Sequence, residues 1–550
     1  MQLGQPPEPN DIPGQDDAPR LRLAASCPRE GVDRALARLL DKPSIMKTVR
    51  SLHGTDRWST PSTLAVAQIT VDEISVSSAG LRVHGAQLGT FNGNEGVFAN
   101  SRDLAAAIHG ADHAVALTNG STSGNQMIAK LLRRRGISVM IAAHSHHSVV
   151  NALVDNEVDF CRVSFGYDAE FEAARPVVPT TLRAALARHP ATKAVWMTSP
   201  TYEGATPIGM QEIADIVHEQ CGEDAILIVD AAWGASHAFD PELPPFPTSV
   251  GADIAVTSSH KTGGALQGAA LLLISTARVD FREVLAVRDD LASTSPSLNI
   301  LLSIDQSLRE MARVGPERLA PTFQEIAELK ARAIDRLPGL QVWGPPEGCR
   351  GDPGRVTFSV ARYDISGYEV RDRLAKLGVA PEKAGLRTIT FLCPFQFPKG
   401  AAARTAEALA AVVARRAITD PVPPLGDPVL RSSELPLINP GQASRRAAAV
   451  GRRVPLQAAV GAVAGQTAEL YPPGVSLLIP GFPINHDAIS HLLMAKAQGA
   501  EIHVPGGFDR KVLTIARREL GPVMNMNMTK TTTASDATPS QIKGVQPRYA

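Results

Sequence analysis

Between residues 114 and 274 short apolar runs recur, separated by stretches whose apolar residues repeat at the helical period. No other feature constrains the fold as strongly. The runs are Ala114 to Leu117, Val139 to Ala143, Ala194 to Met197, Ala225 to Val229, Asp253 to Val256 and Ala269 to Ile274, with helical stretches at Ser123 to Arg135, Thr181 to Arg188 and Met210 to Gln220. Such an order predicts βαβα units that build a mostly parallel, doubly wound sheet. Ligands of these sheets bind beyond the carboxyl ends of the strands, so the residues just after each run carry the functional signal.

A chain of 550 residues exceeds what one hydrophobic core fills, and several domains of a soluble enzyme are expected. Residues 1–60 read as a disordered segment and arm, and 61–315 as the large domain. Residues 316–425 read as a smaller α+β domain opening on the helical run Pro321 to Arg336 and holding the alternating strand Arg355 to Val360. Pro421-Val422-Pro423-Pro424 reads as a linker into a C-terminal domain, 426–520, and the Thr-, Asn- and Ser-rich tail, 521–550, cannot bury much. Lys plus Arg (55) equals Asp plus Glu (55), so no global charge draws the chain to nucleic acid or to an anionic membrane. The start shows no signal-peptide pattern, and no run approaches the roughly 20 apolar residues of a membrane span. Five scattered cysteines have neither zinc-site nor disulfide spacing, which fits a reducing, cytoplasmic setting.

Past the run ending at Val256 stands Ser258-Ser259-His260-Lys261-Thr262-Gly263-Gly264. A lysine amine condenses with an aldehyde cofactor, the usual protein attachment of pyridoxal 5'-phosphate (PLP); taken alone, such a lysine is more often a solvated loop cation. Asp230 ends the run before it. An anion there could keep a pyridine nitrogen protonated, so that the ring accepts electrons released at a substrate α-carbon; an isolated strand-end aspartate would instead cap the next turn. The segment Thr118 to Asn125 joins a strand to a helix and sets Ser121, Thr122 and Ser123 in succession. Free N–H groups and hydroxyls at a helix start suit a phosphate, and an ordinary N-cap would need one hydroxyl only. His144-Ser145-His146-His147-Ser148 follows the run ending at Ala143. An imidazole there could stack on a pyridine ring. Three histidines this close could instead form a polar loop or bind a metal, and the metal ranks last, because adjacent histidines point apart in extended backbone and no carboxylate neighbours them.

Together these residues resemble the fold type I Orn/Lys/Arg decarboxylase family over roughly residues 85 to 510. Thr118 to Asn125 is similar to its phosphate-binding Asn-Gly turn, and His146 with Ser148 falls on its His-Lys-Ser, whose histidine stacks on PLP. Ser199 to Gly204 resembles its Pro-Thr-Tyr-x-Gly turn, Asp230 to Trp233 its Asp-x-Ala-(His/Trp), and Ser258, His260 and Lys261 its Ser-x-His-Lys. Thr294-Ser295-Pro296-Ser297, Gly367-Tyr368-Glu369-Val370 and Tyr471-Pro472-Pro473-Gly474 occur in the family's order. The resemblance implies an aspartate aminotransferase-like α/β large domain with a mostly parallel doubly wound sheet, a smaller α+β domain and a decarboxylase-type C-terminal domain. It implies PLP as cofactor and Lys261, His146, Asp230 and His260 as catalytic residues, with Ser121, Thr122, Ser123, Thr201, Trp233, Ser258 and Ser295 around the cofactor. It also implies a homodimer or dimer of dimers, with the Thr-Ser-Pro-Ser segment near the neighbouring cofactor, of the shorter biosynthetic type without a receiver-like wing domain.

The implied reaction is decarboxylation of a basic L-amino acid, with Lys261 or His260 delivering the proton. Four positions depart from the family pattern: His147 replaces a lysine, Phe482 a glutamate, Leu298 a tyrosine and Gly385 an aspartate. An acid at 482 is expected to neutralise the substrate's distal cation or shape its pocket, so Phe482 points to altered recognition. Two alternatives follow. One is a tailoring enzyme of the family that acts on a modified amino acid by aminotransfer, elimination or oxidation. The other is a catalytically silent PLP-fold partner protein.

Overall fold

The computed structural model describes residues 36–42 and 44, strand segments between 69 and 90, and residues 96–393, 400–414, 416, 426–427, 429, 433–471, 474–505 and 511–516. The tail expected at 521–550, most of the segment 1–60, the linker residues 421–425 and Pro472 and Pro473 lie outside these residues.

Each apolar run forms a strand of one seven-stranded sheet: β1 (His113–Leu117), β2 (Val139–Ala142), β3 (Phe160–Val163), β4 (Ala194–Thr198), β5 (Ile226–Asp230), β6 (Ile254–Thr257) and β7 (Ala270–Ile274). Their spatial order is β1-β7-β6-β5-β4-β2-β3, and β7 alone runs antiparallel to its neighbours. Strand β3 escaped the sequence pattern because Arg162 interrupts its apolar character. That guanidinium is buried and donates to the Ala143 carbonyl through Nε and Nη2, at 2.9 and 2.7 Å.

Alternate residues of the sheet enter two separate cores. Val195, Met197, Leu227 and Val229 face one, while Ala194, Trp196, Ile226 and Ile228 face the other. Burial on both faces is why these strands read as continuous apolar runs rather than alternating ones. Helices α1 (Gly120–Arg135) and α2 (His147–Asp155) cover the second face, and α3 (Pro179–Arg188) and α4 (Met210–Cys221) the first. Helix α1 seats closely on β6: a Cβ on Gly124 would lie 2.6 Å from Val256 Cγ2, so only glycine fits there.

Helix α5 (Leu298–Arg336) leaves the large domain and bends at Val314 (φ −137°, ψ 28°). Pro316, two residues on, has no N–H to donate and its ring crowds the carbonyl four residues earlier, which accounts for the bend. The boundary expected at 315/316 therefore coincides with a kink inside one helix. Beyond it lies an antiparallel four-stranded sheet ordered β8-β9-β11-β10, from β8 (Gln341–Val342), β9 (Arg355–Ser359), β10 (Lys383–Ala384) and β11 (Thr388–Leu392). The C-terminal part carries two antiparallel three-stranded sheets. It docks at the start of α2, where His147 N donates to the Gly474 carbonyl at 2.7 Å. Among the described residues no helix is long and apolar enough to cross a membrane.

Candidate active site

The ligand edge of the sheet opens into a cavity lined by Ser121, His146, Thr201, Asp230, Trp233 and Lys261, all named from sequence. Asp230 is the last residue of β5 and is buried; its Oδ1 accepts from Ala232 N at 3.1 Å. Burial raises its pKa and outweighs the Lys261 charge, the Ala232 N–H and the Asn125 amide, all of which favour the anion. A carboxylate so placed gains most from a cation brought up against it. Thr198, its register neighbour on β4, also lines the cavity and has a buried Oγ1 with no hydrogen-bond partner. An orphaned buried hydroxyl marks a place where a ligand's polar atom belongs.

Lys261 lies on a short helix, Ser259–Thr262, just after β6. Its Nζ sits 4.2 Å from the Trp233 ring centroid. Burial lowers its pKa, opposed by the Asp230 and Glu382 carboxylates and assisted by Arg355. A lowered pKa leaves more of the amine unprotonated, as a nucleophilic lysine requires. The adjacent His260 does not line the cavity, and its Nδ1 is 2.8 Å from the Ala269 carbonyl. A ring turned into that loop is poorly placed to deliver a proton, and the sequence could not show which way it turned.

His146 caps α2. Its Nδ1 accepts from Ser148 N at 3.2 Å and lies 2.8 Å from Ser148 Oγ, which in turn accepts from Asn125 Nδ2 at 2.8 Å. The chain of contacts locks the ring. Burial, reinforced by His147 and Lys261, lowers its pKa to about 3, so the imidazole is neutral and presents a flat uncharged face. The His147 ring lies beside it, centroids 4.0 Å apart, because the backbone here starts a helix and is not extended, so the expectation that adjacent histidines point apart fails; its Nδ1 is 2.6 Å from the buried Glu469 Oε2.

Of the three successive hydroxyls only Ser121 reaches the cavity, where its Oγ accepts from Ser258 Oγ at 2.9 Å. Thr122 is exposed, and Ser123 Oγ donates back to the Gly120 carbonyl at 2.7 Å. The helix starts at Gly120, three residues before its apolar period begins, so the hydroxyls occupy one turn and point in different directions. Asn119 makes no side-chain cap, which leaves first-turn N–H groups beside the Ser121–Ser258 pair. Ser295 is exposed and lies off the cavity of its own chain.

Phe482 is a correction. It is buried against Phe160, with ring centroids 5.7 Å apart, in the core under α1 and α2, and does not line the cavity. Neither does Leu298. Gly385 does, and its surroundings differ from an empty space: a Cβ there would collide with Glu172 Oε2.

The wall facing the sheet was missed from sequence. It includes Tyr167, Glu172, Arg175, Lys383 and His491. Lys383 makes a buried ion pair with Glu203, and the Tyr202 hydroxyl donates to Glu382 Oε1 at 2.8 Å. Arg355 ties this wall to the sheet edge: it pairs with Asp352 and donates to the Tyr202 and Trp233 carbonyls at 2.9 and 3.3 Å. Partners so far apart in sequence leave no local pattern. Among the described residues no cluster of His, Cys, Asp or Glu is arranged to hold a metal ion.

A family model described as the Orn/Lys/Arg decarboxylase major domain matches residues 75–347. The chain is 25% identical over 417 residues to an arginine decarboxylase of Bacillus subtilis (strain 168), spanning 75% of this chain and 84% of that one. It is also 25% identical over 431 residues to an arginine decarboxylase of Bacillus anthracis, spanning 77% and 85%. Among solved structures, the constitutive lysine decarboxylase of E. coli aligns with a TM-score of 0.66 at 17% identity, covering 88% of this chain and 83% of that one. Lysine decarboxylase A from Pseudomonas aeruginosa aligns with a TM-score of 0.67 at 19% identity, covering 84% and 77%. These alignments establish a shared fold, that of the fold type I PLP-dependent enzymes.

Proposed function

The chain belongs to the Orn/Lys/Arg decarboxylase family through its major domain, residues 75–347, and from that premise we propose that it is a PLP-dependent decarboxylase of a basic L-amino acid, arginine, lysine or ornithine. The observation that carries this reading is the pairing of Asp230 and Lys261 across one cavity at the ligand edge of the sheet.

The residues fit the cofactor on chemical grounds. Asp230 is a buried carboxylate that gains from a protonated pyridine nitrogen, and His146 offers a neutral ring face. Ser121, Ser258 and the first turn of α1 offer phosphate donors, and the Thr198 hydroxyl is left to be satisfied. When bound, PLP supplies an electron sink for the pair of electrons left at Cα as the carboxylate departs. Asp230 holds the proton that makes such a sink effective. Trp233 orients the Lys261 amine through its ring face, and that amine can then carry a proton to Cα. Leu470, Val475 and Leu477 close the cavity from the C-terminal part and keep water from the reacting centre. A homodimer in which Ser295 approaches the neighbouring cavity belongs to the same proposal, as does a cytoplasmic setting. The exposure of Ser295 in the single chain supports the dimer, and light scattering tests it.

Phe482 and Leu298, two of the departures behind the tailoring alternative, lie away from the cavity, while Gly385 lines it. The test is mass spectrometry of PLP-loaded protein incubated separately with arginine, lysine, ornithine and a wider amino-acid panel. Loss of carbon dioxide from a basic amino acid is expected. Normal cofactor attachment with no such loss from any of the three overturns the reading and returns the tailoring alternative, and failure to bind PLP at all points to the silent partner.

A further inference from the structure

Glu172 lies at the tip of a hairpin between Tyr167–Asp168 and Ala173–Ala174, with left-handed backbone (φ 49°). Its carboxylate reaches across the cavity to the small domain, where Oε1 accepts from Leu386 N at 3.0 Å and Oε2 accepts from Arg387 N at 2.9 Å and Thr388 Oγ1 at 2.8 Å. Position 385 is glycine because Glu172 Oε2 and, less closely, the Thr388 hydroxyl occupy the volume its side chain would need; the Gly385 backbone is outside the left-handed region, so space alone forbids a larger residue. A carboxylate has about four acceptor positions, and three are used here. The remaining one is on Oε1.

The charge around Glu172 is unbalanced. Of the other carboxylates lining the cavity, Glu203 pairs with Lys383 and Asp230 faces Lys261, whereas the buried guanidinium of Arg387 pairs with Glu170 while only its backbone N–H reaches Glu172 in the bonds described above. Arg175, three residues on, lines the cavity but is exposed, and its charge acts on Cys349. The groups that do feel Glu172 are Tyr167, Tyr368 and His491. Burial first and then this carboxylate raise both phenols, and burial lowers the imidazole. The corner thus holds the Glu172 carboxylate and two aromatic rings, with the Arg387 guanidinium held by Glu170 and the Lys383 ammonium by Glu203, a combination suited to an ammonium or guanidinium group.

We infer that Glu172, with Tyr167 and Tyr368 beside it, is the subsite that takes the distal cation of the substrate. This rests on the decarboxylase reading above, but concerns recognition rather than reaction.

The experiment uses the PLP-loaded enzyme and three variants: Glu172→Gln, Glu172→Gly, and Glu172→Gly combined with Gly385→Asp, which returns a carboxylate to the same corner from the small domain. Glycine suits the backbone at 172, and the Gln variant keeps the side chain's reach should the Gly variant fail to fold. For the basic amino acid that the wild type decarboxylates, KM is expected to rise about 30-fold or more in both single variants and to recover largely in the double variant. Calorimetric titration with agmatine and cadaverine reads the subsite without turnover, and loss of their binding in the single variants is the expected result. If the wild type turns over a basic amino acid while KM stays within twofold in the single variants, the subsite is overturned and the decarboxylase reading stands. If the wild type turns over none, that reading fails, and the amine titrations alone decide the subsite: binding abolished by the substitutions upholds it, and no binding or unchanged binding overturns it.

Discussion

Asp230 and Glu172 face one cavity from opposite walls and are positioned by different means. Asp230 ends a strand, and its neighbours Ala232, Thr198 and Lys261 all lie on the same sheet edge. Glu172 sits on a hairpin tip, and its three hydrogen-bond donors are 214, 215 and 216 residues further along the chain. The parallel sheet gathers reacting groups at its carboxyl edge by topology alone, whereas the facing wall exists only once the small and C-terminal parts have packed against it. In the reading proposed above, reaction chemistry belongs to the first wall and substrate choice to the second.

The largest expected effect tests the sheet wall. Lys261→Ala should lower carbon dioxide release by on the order of 10³-fold or more, and peptide mapping after borohydride reduction should find no PLP on the chain. A PLP adduct on another lysine would remove Lys261 from the reaction. Asp230→Asn should cost about 10²–10³-fold in turnover while the protein still binds PLP, since an amide cannot hold the pyridinium proton. Wild-type turnover in that variant would dissolve the distinction between the walls.

The facing wall is tested through stability. Lys383→Met strands the buried Glu203 carboxylate and should cost about 3–5 kcal/mol in denaturant unfolding, most of it recovered when Glu203→Leu is added. A loss under about 1 kcal/mol would mean that the pair is not a clamp between the domains.

Acid sensitivity should belong to the large domain. Burial lowers the His109 and His237 pKa values to about 4, so the unfolded chain takes up protons between the ordinary histidine value of about 6.5 and pH 4 while the folded chain does not. Stability contributed by these neutral rings is full above pH 6.5 and declines as the pH falls toward 4. His109→Leu should flatten that limb of the thermal midpoint against pH; an unchanged limb would assign it elsewhere. The smallest effect is expected at Phe482→Leu, under about 1.5 kcal/mol with KM unaltered. A several-fold change in KM would bring Phe482 back into recognition.

The legible part of the molecule is the part whose neighbours are local. The runs ending at Val229 and Val256 announced β5 and β6 because strands buried on both faces admit little but apolar residues, and Asp230 and Lys261 then stood out against them. Side-chain direction was not legible. Ser121, Thr122 and Ser123 look alike in sequence, yet one helical turn separates the residue facing the cavity from the one facing solvent and the one bonded to its own backbone. His260 likewise stands beside Lys261 and turns to Ala269 instead. At Phe482 the expectation failed because a residue after a Pro-Gly turn can enter either the cavity or the core, and Phe160 makes the core the better partner.

From sequence alone the chain determined its sheet, the ligand edge of that sheet and the two residues, Asp230 and Lys261, that meet in the cavity there, because strand burial and strand ends are set by short-range pattern. The tertiary structure alone decided that Glu172 meets residues 386–388, that Lys383 meets Glu203 and that Phe482 leaves the site. Those choices depend on how separately folded parts dock, and a carboxylate finds its donors across that interface by distance and direction, neither of which is written in the order of residues.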